Sequence, residues 1–190
     1  MRTRWHGEVI AFIDCLLALT VILLALTVLV QPMKKADAES AAQPPGAMTV
    51  ELRWPRGSDD DVDLWVAPPG GTPVGYSNKT APGMALLRDD LGPTADPDSL
   101  NDEITQANFL RSGEYVINAH LYRARTPPPV AVELWVRVRR DDRYVELLHL
   151  HRTLAAEGEE ATLTRFSLDE KGQLIAGSVN DLPMALRSAP

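Results

Sequence analysis

The sequence has very little cysteine and no excess of positive charge. Its single cysteine, Cys15, cannot form an intramolecular disulfide, so the fold must be held together by packing alone. The 190 residues carry 19 Lys and Arg against 26 Asp and Glu, which gives a formal net charge of -7. Nucleic-acid backbones select for basic surfaces, so this balance argues against a nucleic-acid partner. The length accommodates one ordinary domain and an appended segment.

Motifs for covalent catalysis and phosphate binding are also missing from the sequence. It contains no nucleophile motif, no glycine-rich phosphate loop and no metal motif built from two cysteines. We therefore expect the protein not to be an enzyme, and its function must come from binding or from membrane chemistry.

One long apolar run is present near the N-terminus. Residues 9–30 contain only two ionisable side chains, Asp14 and Cys15. As a helix this run would extend about 33 Å, enough to cross the hydrocarbon core of a bilayer. An acid near the helix centre costs about 2.5 to 3.5 kcal/mol, which the surrounding Leu, Ile, Val and Phe side chains outweigh. Residues 1–31 are therefore predicted to be a short cytoplasmic N-terminus followed by a transmembrane helix.

A cleaved secretory signal peptide is the main alternative for this segment. Arg2 and Arg4 form a basic start, and the small residues at 36–38 resemble a cleavage site. The apolar run is longer than the usual ~7 to 15 residues, an acid interrupts it, and Lys34 and Lys35 precede the cleavage site. These features favour a retained membrane helix. The positive-inside rule is almost balanced, because basic residues flank both ends of the helix, and we expect a short N-terminus inside and the C-terminal domain outside the cytoplasm.

Helical geometry gives Asp14 a distinctive face. At about 100° per residue, Ala11, Ala18 and Ala25 lie within about 60° of Asp14. Small residues allow a second helix to approach closely in lipid. An acid on such a face can form an interhelical hydrogen bond that only fixes an oligomer, or it can couple to an ion. Intramembrane acids more often mark functional sites, because their burial is expensive.

The stretch "FIDCLLALTVILLALTVLVQP", residues 12–32, resembles the single transmembrane helix of the ExbD/TolR/MotB family of B subunits of bacterial ion-driven motors. The resemblance implies a dimer of this chain inside a pentamer of a multi-span MotA/TolQ/ExbB-like subunit in the bacterial inner membrane. It also implies that Asp14 takes up and releases the translocated ion. We expect protons rather than sodium ions, because Thr20 and Thr27 point away from the Asp14 face.

The pattern of the chain changes twice after the apolar run. Residues 32–47 are rich in proline and small side chains and are predicted to be a linker. From residue 48 apolar side chains recur with period two, which predicts β-strands, and turn signals separate seven or so of them. We expect an antiparallel β-sandwich over residues 48–168 and a C-terminal tail over 169–190. The expected strands lie near 50–54, 61–66, 83–88, 114–121, 130–138, 143–151 and 161–168.

The segment "GSDDDVDLWVAPPGG", residues 57–71, is the most distinctive part of this domain. Together with "LLRDDLGP", residues 86–93, and Glu103, it resembles the YfaP-like family of bacterial periplasmic β domains. The resemblance implies a periplasmic β domain and brings no catalytic mechanism.

Acidic side chains in these segments supply the hard oxygen ligands that calcium prefers. The candidate calcium ligands are Asp61, Asp63, Asp89, Asp90 and Glu103, with Asp59 and Asp60 beside them. A solvated acidic rim is the alternative. His149 and His151 share one strand face, but without a third ligand nearby they are expected to be surface residues rather than a zinc site.

The function predicted from sequence is that of a B subunit of an inner-membrane motor. Proton flow through Asp14 would exert force, through the β domain, on an envelope target. The alternative function is a membrane-tethered periplasmic binding or adhesion module without motor activity.

Overall fold

The computed structural model describes residue 10 and residues 12–22, 46–90 and 100–187. The chain divides into two compact units, Met1–Gln43 and Pro44–Pro190. In the first unit, residues 12–22 form an α-helix. No helix within the described residues is long and apolar enough to cross a membrane. The predicted span continues over residues 23–30, which lie outside the described residues, so the span stays a prediction.

The second unit is an all-β domain, as predicted. Its described part contains nine strands: β1 (Met48–Arg53), β2 (Asp61–Ala67), β3 (Thr80–Ala81), β4 (Met84–Arg88), β5 (Asp102–Ala107), β6 (Gly113–Arg123), β7 (Val130–Arg140), β8 (Arg143–Leu154) and β9 (Glu160–Leu168). They form a six-stranded sheet in the order β3-β4-β5-β1-β7-β8 and a three-stranded sheet in the order β2-β6-β9. Every pairing between these strands is antiparallel.

Alternation of side chains explains why these segments form strands around one core. In β7, Val132, Leu134 and Val136 are buried, whereas the residues between them are partly or fully exposed. Inward side chains of both sheets contribute to the same hydrophobic core. Within it, Tyr115 and Phe166 stack with ring centroids 5.3 Å apart. The period-two pattern therefore predicted the buried face of these strands correctly.

Strand β5 was not expected from the sequence. Its inward positions hold Glu103, Thr105 and Ala107, which lie opposite Leu52, Val50 and Met48 of β1. Glu103 and Thr105 are fully buried. Because polar side chains occupy the core-facing positions, the hydrophobic pattern that indicates a strand is missing. This strand carries the central residue of the candidate site.

The C-terminal residues pack along the three-stranded sheet. Backbone bridges join Leu168 to Leu174 and Arg165 to Asn180. Further along, Leu186 is buried in a small cluster with Trp65, Ala67 and Val116 on the outer face of this sheet. The described part of the predicted tail is thus held against the domain.

Candidate functional site

The structure places Asp14 inside the N-terminal helix, residues 12–22. Ala18 follows it by four residues and so lies on the same helix face. The other two alanines of the predicted packing face, Ala11 and Ala25, lie outside the described residues. Asp14 is the only charged side chain in this helix, and its large apolar neighbours are exposed.

A second candidate site lies in the β domain, where three of the predicted calcium ligands meet. Asp63 lies on β2, Asp89 follows β4, and Glu103 lies on β5. One carboxylate oxygen from each residue lies within 4.8 Å of the other two. We refer to Asp63, Asp89 and Glu103 as the acidic site.

Glu103 is the most deeply placed member of the acidic site. Its Oε2 accepts a hydrogen bond of 2.6 Å from the backbone N–H of Leu64, on the β2 edge of the three-stranded sheet. Its Oε1 is buried and accepts no hydrogen bond from an N–H or O–H group of the described residues, but the Glu103 and Asp89 carboxyl groups are close enough to share a hydrogen bond when Glu103 is protonated. Burial raises the pKa of Glu103 well above its ordinary value, against the Leu64 hydrogen bond. The charges of Asp63 and Asp89 and a hydrogen bond with Asp89 raise it further. The site therefore offers a buried oxygen that would gain from a cation.

Asp63 is oriented by a buried histidine. Its Oδ2 lies 2.8 Å from Nδ1 of His120, and both side chains are nearly inaccessible to solvent. Nε2 of the same imidazole lies 2.7 Å from Nη1 of Arg187 in the C-terminal segment. A guanidinium can only donate, so Nε2 of His120 must accept, and Nδ1 carries the hydrogen that is donated to Asp63. This chain of hydrogen bonds fixes the orientation of the Asp63 carboxylate.

Asp89 is the member of the acidic site that already has a cationic partner. Lys79 Nζ donates a hydrogen bond of 2.6 Å to Asp89 Oδ2, and the lysine side chain is more than half exposed. The hydrogen bond and the charge of Asp89 raise the pKa of Lys79. Because this lysine is at the surface, it can turn into solvent without leaving a buried charge behind. A divalent ion could therefore take over its role as counter-charge.

The remaining predicted ligands fall into two groups. Asp61 and Asp90 lie near the acidic site. Burial is the main cause that raises the pKa of Asp61 to about 6. The negative charges of Asp63, Asp90 and Asp89 act in the same direction, and the positive charge of Arg123 acts against them. Asp59 is exposed. Asp60 has a structural role, which is to hold a neighbouring loop.

Asp60 is buried beneath that loop. Its Oδ1 accepts hydrogen bonds from the backbone N–H groups of Arg125 and Thr126, at 2.6 and 2.7 Å. Although burial acts to raise the pKa of Asp60, its hydrogen bonds with Ser58, Thr126 and Arg125 lower it overall. These bonds use the oxygens of Asp60 to connect the β6–β7 loop to the start of β2.

The geometry of the acidic site fits calcium. With Ca²⁺–oxygen distances of about 2.3 to 2.6 Å, oxygens across the ion are separated by up to about 5 Å. The spacing in the acidic site is within this limit. Three carboxylates would supply up to six oxygens, and Asp61, Asp90 or water could complete a coordination number of about 6 to 8. The burial of Glu103 and Asp63 distinguishes this group from an ordinary solvated acidic rim.

Stability without calcium is predicted to fall as pH rises. The ordinary pKa of Asp61 is 3.8, and the folded state raises it to about 6. Its favourable contribution is therefore complete below about pH 4 and is lost as pH rises through about 6. After screening at this half-exposed group, the effect should be about 1 kcal/mol, or about 2 to 4 °C in Tm. Glu103 acts in the same direction.

Thermal melts of the full chain in detergent between pH 4 and pH 7.5 measure this effect. Chelator-treated wild type should lose stability over this interval, and excess Ca²⁺ should restore it mainly at pH 7.5. Asp61→Asn should show a shallower loss, whereas the exposed control Asp59→Asn should follow wild type. Equal slopes for the two variants would contradict this account of Asp61.

The sequence did not indicate several residues that make the hydrogen bonds around the acidic site. His120, Lys79 and Arg187 come from distant segments, and no spacing rule links them to the acids. Likewise, Glu133 approaches His149 and His151 only through the pairing of β7 with β8. Both histidines are exposed, and the pairing of the strands brings a third candidate ligand beside them that the sequence did not indicate.

No family model matches the chain, and no curated protein matches it. The crystal structure of a protein of unknown function, SAV2460, is similar over 72% of this chain and 88% of that chain, with 19% sequence identity and a TM-score of 0.42.

Proposed function

We propose that the chain is the B-type subunit of an ion-driven motor in a bacterial inner membrane. The observation that carries this proposal is Asp14, the only charged side chain in a helix whose large apolar side chains are exposed. Exposed fractions of Phe12, Leu17 and Val21 are 66%, 57% and 65%. Exposed apolar side chains in this number support a place among lipid or partner helices.

In this proposal Asp14 carries the ion. A carboxylate in a dry environment favours its neutral form, and a polar environment favours its charged form. Alternation between these environments at the interface with a multi-span MotA/TolQ/ExbB-like pentamer lets Asp14 accept a proton from one side and release it to the other. Each charge that crosses the membrane field yields about 2.3 kcal/mol per 100 mV, which is sufficient for stepwise motion.

The β domain is the force-bearing end in this proposal. Its two sheets form a sandwich in the periplasm that contacts an envelope target, and the acidic site holds calcium. Calcium would join β2, β5 and the segment after β4 through Asp63, Glu103 and Asp89. Such a connection between the two sheets suits a domain under load, because the ion resists their separation.

A membrane-tethered, calcium-dependent binding module without motor activity is the second candidate. The acidic site favours it, since three clustered carboxylates, of which that of Glu103 is fully buried, suit a cation whether or not a motor is present. The two candidates differ at Asp14, which has a role in the motor and none in a tether.

Co-purification with the products of neighbouring genes tests the proposal. We expect the chain, extracted from membranes, to retain its N-terminal segment and to elute with a multi-span subunit. Elution as an independent monomer would favour the tether, and loss of the N-terminal segment would favour a cleaved signal peptide.

A further inference from the structure

A separate cluster of metal-ligating side chains lies on the outer face of the six-stranded sheet. Glu133 of β7 is paired with His151 of β8, and the neighbouring pair is Trp135 with His149. Nε2 of His149 lies 2.6 Å from Glu133 Oε1, and Nε2 of His151 lies 3.7 Å from the same oxygen. One ligand atom of each residue thus lies within 4.8 Å of the other two.

The imidazole of His149 is held in place by its surroundings. Trp135 stacks on it with ring centroids 4.8 Å apart and an angle of 16° between the planes. Arg53 and Arg137 lie over the same indole, 4.9 and 5.5 Å from a ring centroid. Both arginines also pair with Glu51. Because the ring of His149 is stacked, its Nε2 stays directed toward Glu133, and a ligand atom is positioned in advance.

We propose that Glu133, His149 and His151 form a site for a borderline divalent transition-metal ion, of which zinc is the representative. Two imidazole nitrogens and one carboxylate oxygen are a ligand set that zinc uses when a fourth position stays open. Zinc–ligand bonds of about 2.0 to 2.2 Å place the ligand atoms of a tetrahedron about 3.3 to 3.5 Å apart. The present separations of 2.6 and 3.7 Å lie on either side of that value.

The ligand chemistry separates this cluster from the acidic site. Imidazole nitrogen suits zinc, copper and nickel, whereas an all-carboxylate site suits calcium, magnesium and manganese. The two sites use different residues, so the zinc site does not depend on the proposed motor function.

Open coordination positions would face a surface groove beside the cluster. Arg53 and Arg152 line this groove together with Glu133 and His151. Their guanidinium groups favour a carboxylate or another anion as the fourth ligand of the metal. The site therefore suits metal-dependent binding of an acidic group as well as the metal alone.

Zinc titration of the full chain in detergent, without a histidine tag, tests the proposal. Isothermal titration calorimetry should show a zinc site with a dissociation constant of about 1 µM or tighter. Glu133→Gln, His149→Gln and His151→Gln should each weaken it at least 10-fold. Glu146→Gln, an exposed control on the same strand as the histidines, and Asp63→Asn in the acidic site should leave zinc affinity unchanged.

Cobalt absorption locates the ion independently of the heat signal. Co²⁺ bound by nitrogen and oxygen at low coordination number should give visible absorption bands, and these bands should disappear in His149→Gln. Zinc binding that is unaffected by all three ligand variants, or binding only at millimolar zinc, would overturn the proposal. The histidines and Glu133 would then be a surface ion pair only.

Discussion

Replacing Asp14 by Asn is expected to abolish ion flow through the assembled complex while leaving the complex intact. Asparagine has nearly the same size and can keep an interhelical hydrogen bond, but it cannot release or take up a proton. An acid that only fixes the oligomer would therefore tolerate this change, whereas an ion carrier would not. The proton flux should fall to the level of vesicles that contain no complex.

Proton uptake by proteoliposomes under an imposed membrane potential measures this result. The complex would be reconstituted with its multi-span partner, and a pH-sensitive dye inside the vesicles would report the flux. Asp14→Glu keeps an ionisable group and should retain part of the activity. Cys15→Ala changes the adjacent side chain and should behave as wild type. Wild-type flux in the Asn variant would remove Asp14 from the mechanism and would favour the tethered-module function.

Replacing Glu103 by Gln is expected to change calcium affinity and calcium-free stability in opposite directions. The amide oxygen of Gln can still accept the hydrogen bond from Leu64 N–H, so the link between β5 and β2 is kept. Losing the carboxylate charge should weaken calcium binding by about 100-fold, since ligand charge sets affinity at such sites. Without calcium, the variant should be more stable at pH 7.5, because the raised pKa of Glu103 destabilises the folded state at pH values above the ordinary pKa of the group.

Calorimetric titration with Ca²⁺ and thermal melts in chelator give the two readouts for Glu103→Gln. Glu170→Gln, which alters an exposed acid of the same type, should change neither. If the acidic site only stabilised the fold and bound no calcium, Glu103→Gln would lower the thermal stability and leave the calcium affinity unchanged. Unchanged calcium affinity in Glu103→Gln would rule out this carboxylate as a ligand.

The architecture of the domain was largely predictable where hydrophobic alternation is strong. Strand β7 is the clearest case, since its apolar and polar residues alternate along most of its length. Strand β5 could not be predicted in this way, because Glu103 and Thr105 face the core. One of these two polar core residues, Glu103, is also a member of the acidic site.

The candidate site was predictable in its residue types and not in its assembly. The acids of the segment at 57–71 and of residues 89 and 90 are visible as a cluster, but their roles differ. Asp63 joins Asp89 and Glu103, whereas Asp60 holds a loop through backbone N–H groups. Adjacent residues of a strand point to opposite faces, so each acid depends on contacts that distant segments provide. His120 and Arg187 illustrate this, because only the folded chain brings them to Asp63.

The histidine cluster shows the same limit of sequence spacing. His149 and His151 are visible as a pair on one strand face, and Glu133 lies 16 residues before His149. The antiparallel register of β7 and β8 then places the carboxylate between the two imidazoles. Two ligands on one strand therefore predict a metal site only when the facing strand is known.

The mass of the intact complex purified from membranes tests the motor assignment most directly. Native mass spectrometry should give a dimer of this chain together with a pentamer of the multi-span subunit, with the N-terminal segment of this chain intact. That composition follows from the proposed place of Asp14 between the dimer and the surrounding ring. A mass that corresponds to this chain alone, or to a soluble form without its N-terminal segment, would contradict the motor assignment.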